Sequence, residues 1–518
     1  MSSKTIIRRQ SLGDILRRTA VRDPTKIAIR CGQVEWTYEQ FDRLCDQFAA
    51  GLASYGIVLG DRVAVFARNS HAWAVVRFAL ARLGAVLVPV NFMLNATEVA
   101  YILRHSGARI LCVDGGLAAV ALEACASGTA VENLVELPSE NAPVSSPDLL
   151  RFEDLLLPSS PPSVELEGSQ LAQIVYTSGT ESRPKGAMHT HEAVIWEYVS
   201  CLVDAEIAHA DRILHALPLY HCAQLDVFLG PGVYVGATHV ITAHPTPDNL
   251  LTLIEQHGVT SFFAPPTVWI SLLRSPLFDQ RDLSSLTKGY YGASIMPVEV
   301  LREIQRRLPN ARLWNLYGQT EIAPVASVLK PEDQLRKPGS AGRAALNVEM
   351  RVVNEEGADV VPGETGEIVH RSPQLLSGYF RDAEKTAAAF SGDWFHSGDL
   401  ATVDSDGYIT VVDRKKDIIK SGGENVASRE VEEVLYTLPQ LSEAAVIGLP
   451  DARWVEAVTA VVVLREGHSL GEEEVIAHCA ARLARFKVPK RVVFTDTLPK
   501  NPSGKLLKRE LRQRYEQS

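Results

Sequence analysis

Apolar and polar positions along the chain follow two periods that take turns. Residues 62–67 (RVAVFA) are an apolar run of strand length, and 70–85 then place Trp73, Val76, Leu80 and Leu83 near helical spacing. Residues 86–90 (VLVPV) read as a second strand, 96–105 as a second helix and 109–113 (RILCV) as a third strand. Strand–helix alternation of this kind predicts a parallel sheet joined by right-handed crossovers. Runs at 212–217, 237–242, 260–264 and 312–316 repeat the strand signal. The most apolar stretch, 72–90, is interrupted by Arg77 and Arg82 and falls short of the ~20-residue membrane span.

Between 139 and 168 the chain is rich in Ser and Pro and reads as a surface loop or linker. From 364 to 412 it changes to short β runs separated by turns, with Asp406-Gly407 as a hairpin signal. After the charged residues Arg414, Lys415, Lys416 and Asp417, a helix is predicted over 428–438, with Val431, Val434, Leu435 and Leu438 on one face. Strands at 443–448 and 457–464, a helix at 472–485 and a strand at 491–494 complete a small α+β module. The 518 residues exceed the ~250–300 that one core can serve. The expected fold is therefore α/β: a large N-terminal domain (1–415) of α/β sub-domains plus a β-rich sub-domain, then a small C-terminal α+β domain (416–518).

Composition narrows the function. A hydrophobic share of 46% with 22% charged residues excludes a disordered or fibrous chain. Lys+Arg of 52 against Asp+Glu of 62 gives a charge of −10, without the basic footprint of a nucleic-acid binder. Seven scattered cysteines, odd in number and without a CxxC pair, argue against a disulfide framework or a zinc site. His189 and His191 form an HxH pair with no evident third ligand. No signal-peptide run or terminal address is read, so a cytoplasmic protein is expected.

The first chemical signal is the loop 177–186 (TSGTESRPKG), which follows the strand-like 171–176. Thr177, Ser178, Gly179 and Thr180 let backbone N–H groups approach a polyphosphate, and Lys185 adds a point charge. Pro184 before the lysine and Gly186 after it exclude a Walker A loop, and composition alone also fits an ordinary surface turn. The pattern resembles the signature of adenylate-forming enzymes, the ANL superfamily of acyl-CoA synthetases, adenylation domains and luciferases. The resemblance runs from about Ser11 to the C-terminus. Glu181 and Ser182 replace the Thr and Gly usual in that family. A carboxylate ~4 Å from a phosphate oxygen costs roughly 4 kcal/mol at an effective dielectric near 20, so Glu181 must point away, sit beside the metal or weaken ATP binding, and the first is expected.

The resemblance assigns roles at further positions. In 315–321 (NLYGQTE) it implies that Tyr317 stacks on adenine beside Gly318, Thr320 contacts the α-phosphate, and Glu321 ligates Mg²⁺ with help from Thr180. A planar ring suits a base and a carboxylate suits a hard cation. Gly292, Ala293 and Ser294 resemble the adenine-pocket segment. Asp399, in Ser397-Gly398-Asp399, and Arg414 resemble the ribose clamp, and Lys416 the hinge. Residues 419–425 resemble the pantetheine channel, through Gly422 and Gly423, with Lys420 presenting a side chain of minor catalytic weight. Lys505, in 498–505 (LPKNPSGK), matches the mobile catalytic lysine, and His221 the gate of an acyl pocket lined by Leu225 with Cys222 and Gln224.

What this implies is an ATP- and Mg²⁺-dependent acyl-CoA synthetase of the bacterial fatty-acid–CoA ligase branch. A carboxylic acid and ATP give acyl-AMP and pyrophosphate, and CoA then gives acyl-CoA and AMP. The expected acid is largely apolar, a medium- or long-chain fatty acid or a bulky acid of specialised metabolism. The rival readings are hand-over to an acyl-carrier protein or partner enzyme, an inactive nucleotide-binding regulator, and an amino-acid adenylation domain. The last would need an acid in the pocket motif, near which only Asp226 stands. Relatives commonly form homodimers.

Overall fold

The computed structural model describes residues 8–140, 149–177, 184–292, 296–415, 417–421, 424–451, 453–500 and 506–516. The chain forms two compact units, Met1–Glu349 with Arg371–Asp393, and Met350–His370 with Trp394–Ser518. The segment 350–370 is thus grouped with the C-terminal module.

The larger unit contains two sheets. One runs in the order Gly378–Tyr379, Lys185–Thr190, Leu171–Thr177, Val86–Pro89, Arg62–Phe66, Ile110–Asp114, Asn133–Leu137 and Leu150–Arg151. It is parallel from Leu171–Thr177 onward and antiparallel at the first two joints. The other sheet has nine strands, with Arg312–Gly318, Lys288–Gly292, Ser261–Phe263, Arg212–His215 and Thr238–Ile241 as its parallel centre. The first predicted helix is His71–Leu83, started by the Ser70 hydroxyl accepting from Trp73 N–H and ended at Gly84, whose φ of +65° suits glycine. It is buried on every face but one residue, which explains its membrane-like composition. Its two arginines are internal: Arg82 pairs with Asp42 and Asp46, and Arg77 with Asp226 at 3.0 Å. Among the described residues no helix is long and apolar enough to cross a membrane.

The stretch 139–168 is only partly the surface loop its composition predicts. Leu150–Arg151 joins the sheet edge, and Phe152–Leu155 forms a 3₁₀ turn. Phe152 stacks on Phe48 with centroids 5.0 Å apart, and Leu155 is fully buried. Phe152 and Leu155, with Leu150 and Leu156 packed beside them, draw this locally apolar piece of the Ser- and Pro-rich stretch into the core that holds the helix Tyr38–Ser54.

In the smaller unit one sheet holds Glu349–Val353, Thr365–Arg371, Trp394–Val403 and Ile409–Arg414. The last two form the predicted hairpin, turning at Asp406-Gly407 with Gly407 at φ +80°. The second sheet pairs Leu441–Asp451 with Val455–Leu464 and adds Ile419–Ser421, Glu424–Val426 and Arg491–Phe494. Helices Ser428–Leu435 and Glu472–Ala480 stop short of the predicted ends. There the chain tightens into i→i+3 bonds, Leu438 N–H to Leu435 O and Arg482 N–H to Cys479 O, both 3.0 Å.

Candidate active site

In the larger unit, antiparallel pairing sets Thr177 opposite Lys185 at the base of the loop predicted to hold phosphate. The next strand residue, Gly186, leaves little room for a side chain, because a Cβ there would lie 2.7 Å from Ile174 Cγ2 and 3.2 Å from Tyr176 Cζ. The helix Ala96–Ser106 braces both shoulders of the loop. His105 Nδ1 is 2.7 Å from the Tyr176 hydroxyl, and the Tyr101 hydroxyl donates to Pro184 O at 3.3 Å. Ser178, Gly179, Thr180, Glu181 and Ser182 lie outside the described residues.

The strand Arg312–Gly318 delivers Tyr317 half-buried at its end, beside Gly292, which pairs with Leu316. Ala293 and Ser294 are outside the described residues. Gly318 admits no side chain, since a Cβ there would meet Pro324 O at 1.7 Å. The 3₁₀ turn Thr320–Ile322 follows and is held from behind. Leu376 N–H donates to Glu321 O at 2.8 Å, and Gln374 Nε2 donates to Ile322 O and Val325 O at 3.3 and 3.1 Å. Glu197 accepts from Gln374 Nε2 at 2.6 Å and from Val325 N–H at 3.1 Å. Burial pushes the Glu197 carboxyl well above the usual range. Under the turn, His189 is fully buried, and burial lowers its pKa to about 4 although the backbone of Thr320 and Glu321 favours the charged ring. Among the described residues neither of its nitrogens makes a hydrogen bond of good geometry, although the Thr320 and Glu321 backbone lies close enough to act on the ring. It therefore acts as a neutral interior ring.

Around this turn the structure brings several predicted residues together. The Tyr379 hydroxyl donates to Glu321 Oε1 at 3.0 Å, and Lys185 Nζ stands 5.2 Å from the centre of the Tyr379 ring. Cys222 Sγ lies 3.6 Å from Thr320 Oγ1 and 3.9 Å from His221 Nδ1, so the predicted acyl gate adjoins the predicted catalytic turn. His221 Nδ1 accepts from Ala223 N–H at 3.1 Å, and Leu225 is buried. Gln224 is held in the interior, with Nε2 2.7 Å from His215 Nδ1. Asp226 is not a free acid: it accepts from Arg77 at 3.0 Å, Gln173 at 2.8 Å and Tyr198 at 3.2 Å, all buried. Among the described residues no group of three His, Cys, Asp or Glu can hold a metal, His189 and His191 included.

The smaller unit carries the other predicted contacts. Asp399 pairs with Arg414 across the hairpin, Arg414 Nε to Asp399 Oδ1 at 3.0 Å. Glu367 fixes the irregular strand backbone before Asp399, where Gly398 has φ +71°, by accepting from Gly398 N–H at 3.0 Å. Burial raises its carboxyl, but His396 and Lys415 outweigh this and hold it below the usual range. Lys420 is exposed, and its N–H donates to Glu456 at 2.6 Å. Lys500 pairs with Leu506 and bonds Glu443 at 2.6 Å, anchoring both flanks of 501–505. Lys416, Gly422, Gly423 and Lys505 lie outside the described residues. Sequence reasoning missed Tyr379, Gln374 and Glu197, which no spacing links to Glu321; only strand pairing and core packing bring them there.

The family model described as AMP-binding enzyme matches residues 16–380, and the AMP-binding enzyme C-terminal domain matches 430–505. A feruloyl-CoA synthase of an Amycolatopsis species is 38% identical over 510 residues, covering 98% of this chain and 100% of that protein. A long-chain-fatty-acid–CoA ligase of Mycobacterium tuberculosis is 34% identical, covering 98% and 99%. Among solved structures, an anthranilate CoA ligase in complex with anthranoyl-AMP superposes with a TM-score of 0.90 at 27% identity, over 98% of each chain.

Proposed function

The chain belongs to the AMP-binding enzyme family, the ANL superfamily, as an AMP-forming acyl-CoA synthetase, and we propose that the acid it activates is largely apolar. The observation that carries this reading is Asp226. The one acid that follows the pocket motif in the sequence, Asp226, is held by Arg77, Tyr198 and Gln173, so it is not offered to an α-amino group. A medium- or long-chain fatty acid or a bulky specialised-metabolite acid fits this chemistry. Unpaired, mostly buried cysteines and the use of ATP and CoA support a cytoplasmic enzyme.

In the first half-reaction the substrate carboxylate attacks the α-phosphorus of ATP, and the bond to the pyrophosphate oxygen breaks. Lys185 and the loop amides meet the departing phosphates, and Thr320 meets the α-phosphate. Tyr317 takes the adenine face, with Asp399 and Arg414 on the ribose. Glu321 suits Mg²⁺, which binds through one or two carboxylates plus substrate phosphates, because its Oε2 has no protein partner among the described residues. The metal, when bound, neutralises charge on the phosphate oxygens. Lys505 bridges the acid and the α-phosphate. For the second half-reaction the C-terminal segment beyond the hinge at Lys416 turns, Lys505 withdraws, and the CoA thiolate enters along Gly422, Gly423 and Lys420. It attacks the acyl carbonyl, and AMP leaves with the former carboxylate oxygen. Two steps that need different groups at one carboxylate account for a hinged second domain.

The test is mass spectrometry of the purified enzyme with ATP, Mg²⁺ and a broad acid panel, with and without CoA. Acyl-AMP from apolar acids, converted to acyl-CoA when CoA is added, is the expected result. Acyl-AMP that persists beside CoA would transfer the acceptor role to a carrier protein or partner enzyme. A preference for amino acids would overturn the apolar assignment.

A further inference from the structure

We propose that Tyr379 is a positioning residue for the metal–triphosphate end of the site: its hydroxyl orients the Glu321 carboxylate, and its ring holds Lys185 apart from that carboxylate. Tyr379 is 8% exposed and comes from the strand Gly378–Tyr379, which pairs with Lys185–Thr190 so that Tyr379 faces Ala187, two residues from Lys185. The strand is held firmly. Tyr379 N–H donates to Thr386 Oγ1 at 2.8 Å, Thr386 Oγ1 donates to Asp382 O at 2.7 Å, and Phe380 N–H donates to Gly186 O at 2.8 Å. A Cβ on Gly378 would lie 2.9 Å from Thr386 Cγ2, so the strand cannot draw closer with any other residue there.

From this fixed place the ring meets both charges. Its hydroxyl donates to Glu321 Oε1 at 3.0 Å, and Leu376 N–H from the same segment takes Glu321 O at 2.8 Å. One segment thus fixes the carboxylate and its backbone together, and Oε2 remains for a cation. The Lys185 ammonium lies 5.2 Å from the ring centre, within the range of cation–π attraction. Among the described residues the Lys185 ammonium meets the ring and the Glu321 carboxylate meets the hydroxyl, and no ion pair joins the two. The Lys185 ammonium also acts on the Asp382 carboxylate, three residues beyond Tyr379, so this segment draws the ammonium away from Glu321 through both the ring and that carboxylate. The tyrosine keeps the carboxylate for metal and the ammonium for phosphate.

The inference rests on Glu321 being the metal-holding residue, and the experiment separates the two. Binding of the fluorescent nucleotide mant-ATP to the full chain is titrated with Mg²⁺, alongside kcat and KM for ATP. Y379F keeps the ring and loses the hydroxyl. It is expected to raise the half-saturating Mg²⁺ about tenfold while Mg²⁺-free mant-ATP affinity stays within about twofold. Y379L loses both groups and is expected also to weaken Mg²⁺-free affinity about tenfold. E321Q is the reference: it should raise the Mg²⁺ requirement by itself, and Y379F added to it should have no further effect. If E321Q shifts the Mg²⁺ dependence and Y379F does not, the proposal falls and the reading of Glu321 stands. If E321Q shifts nothing, that reading falls and takes the proposal with it. Equal behaviour of Y379F and Y379L in every readout would remove the role of the ring.

Discussion

At the scale of single residues, the site divides by how its members are linked. Tyr317, Gly318, Thr320 and Glu321 are consecutive or nearly so, and a short motif is legible because the backbone itself sets its geometry. Lys505 stands in a motif of the same local kind, after a Pro and a Gly, and lies outside the described residues between the anchored flanks Lys500 and Leu506. Its expected role is confined to the first half-reaction. Lys505→Ala should lower acyl-AMP formation by about 10²–10³ and leave the conversion of supplied acyl-AMP with CoA within a few-fold of wild type. Equal losses in both half-reactions would show that the lysine serves more than adenylation. Asp226 makes the opposite point. In the sequence it looks like a pocket acid, and only Arg77, distant in the chain, shows otherwise.

At the scale of elements, the strong periods came through and the weak ones did not. The helix His71–Leu83 and the strands Arg62–Phe66, Val86–Pro89 and Ile110–Asp114 stand where alternation predicts them, because a nearly continuous apolar pattern can only be interior. The segment Phe152–Leu155 was hidden in a Ser- and Pro-rich stretch, since its apolar run is short and its burial depends on a gap opposite it. That gap is Gly51, in the middle of the helix Tyr38–Ser54, where a Cβ would come within 2.1 Å of Leu155 O and 2.7 Å of Leu155 Cα. A glycine inside a helix normally costs about 1 kcal/mol against alanine, so here close approach outweighs propensity. Gly51→Ala should therefore destabilise the protein by about 1–3 kcal/mol instead of stabilising it, as chemical denaturation would measure. A gain in stability would mean that the 152–155 turn moves freely.

At the scale of the whole molecule, the chain buries ionisable groups in quantity, and this sets its response to pH. His189, His191, His215 and His370 are fully buried and have pKa values lowered by that burial to about 4, 3, 3 and 4. An unfolded histidine titrates near ~6.5, so between that value and the folded pKa the unfolded chain binds more protons. Each such histidine contributes stability that is complete above pH ~6.5 and is lost as the pH falls toward 4, at about 1.4 kcal/mol per pH unit. Raised carboxyls such as Glu197 act in the opposite sense, so the clean measurement is a difference. His189→Leu removes a buried ring without a hydrogen bond of good geometry among the described residues and should flatten the stability–pH slope between pH 5 and 6.5 by about that single-group amount. An unchanged slope would show that His189 titrates normally in the folded state.

The sequence by itself determined the α/β class, the small C-terminal α+β module and the family, because periodicity and motif spacing are local and the chain records them directly. Only the tertiary structure decided that Tyr379 and Gln374 serve the Glu321 turn, that Asp226 belongs to Arg77 and that Phe152–Leu155 is core. Those facts depend on which distant segments pack or pair. A contact across 58 or 149 positions leaves no period in the chain to read.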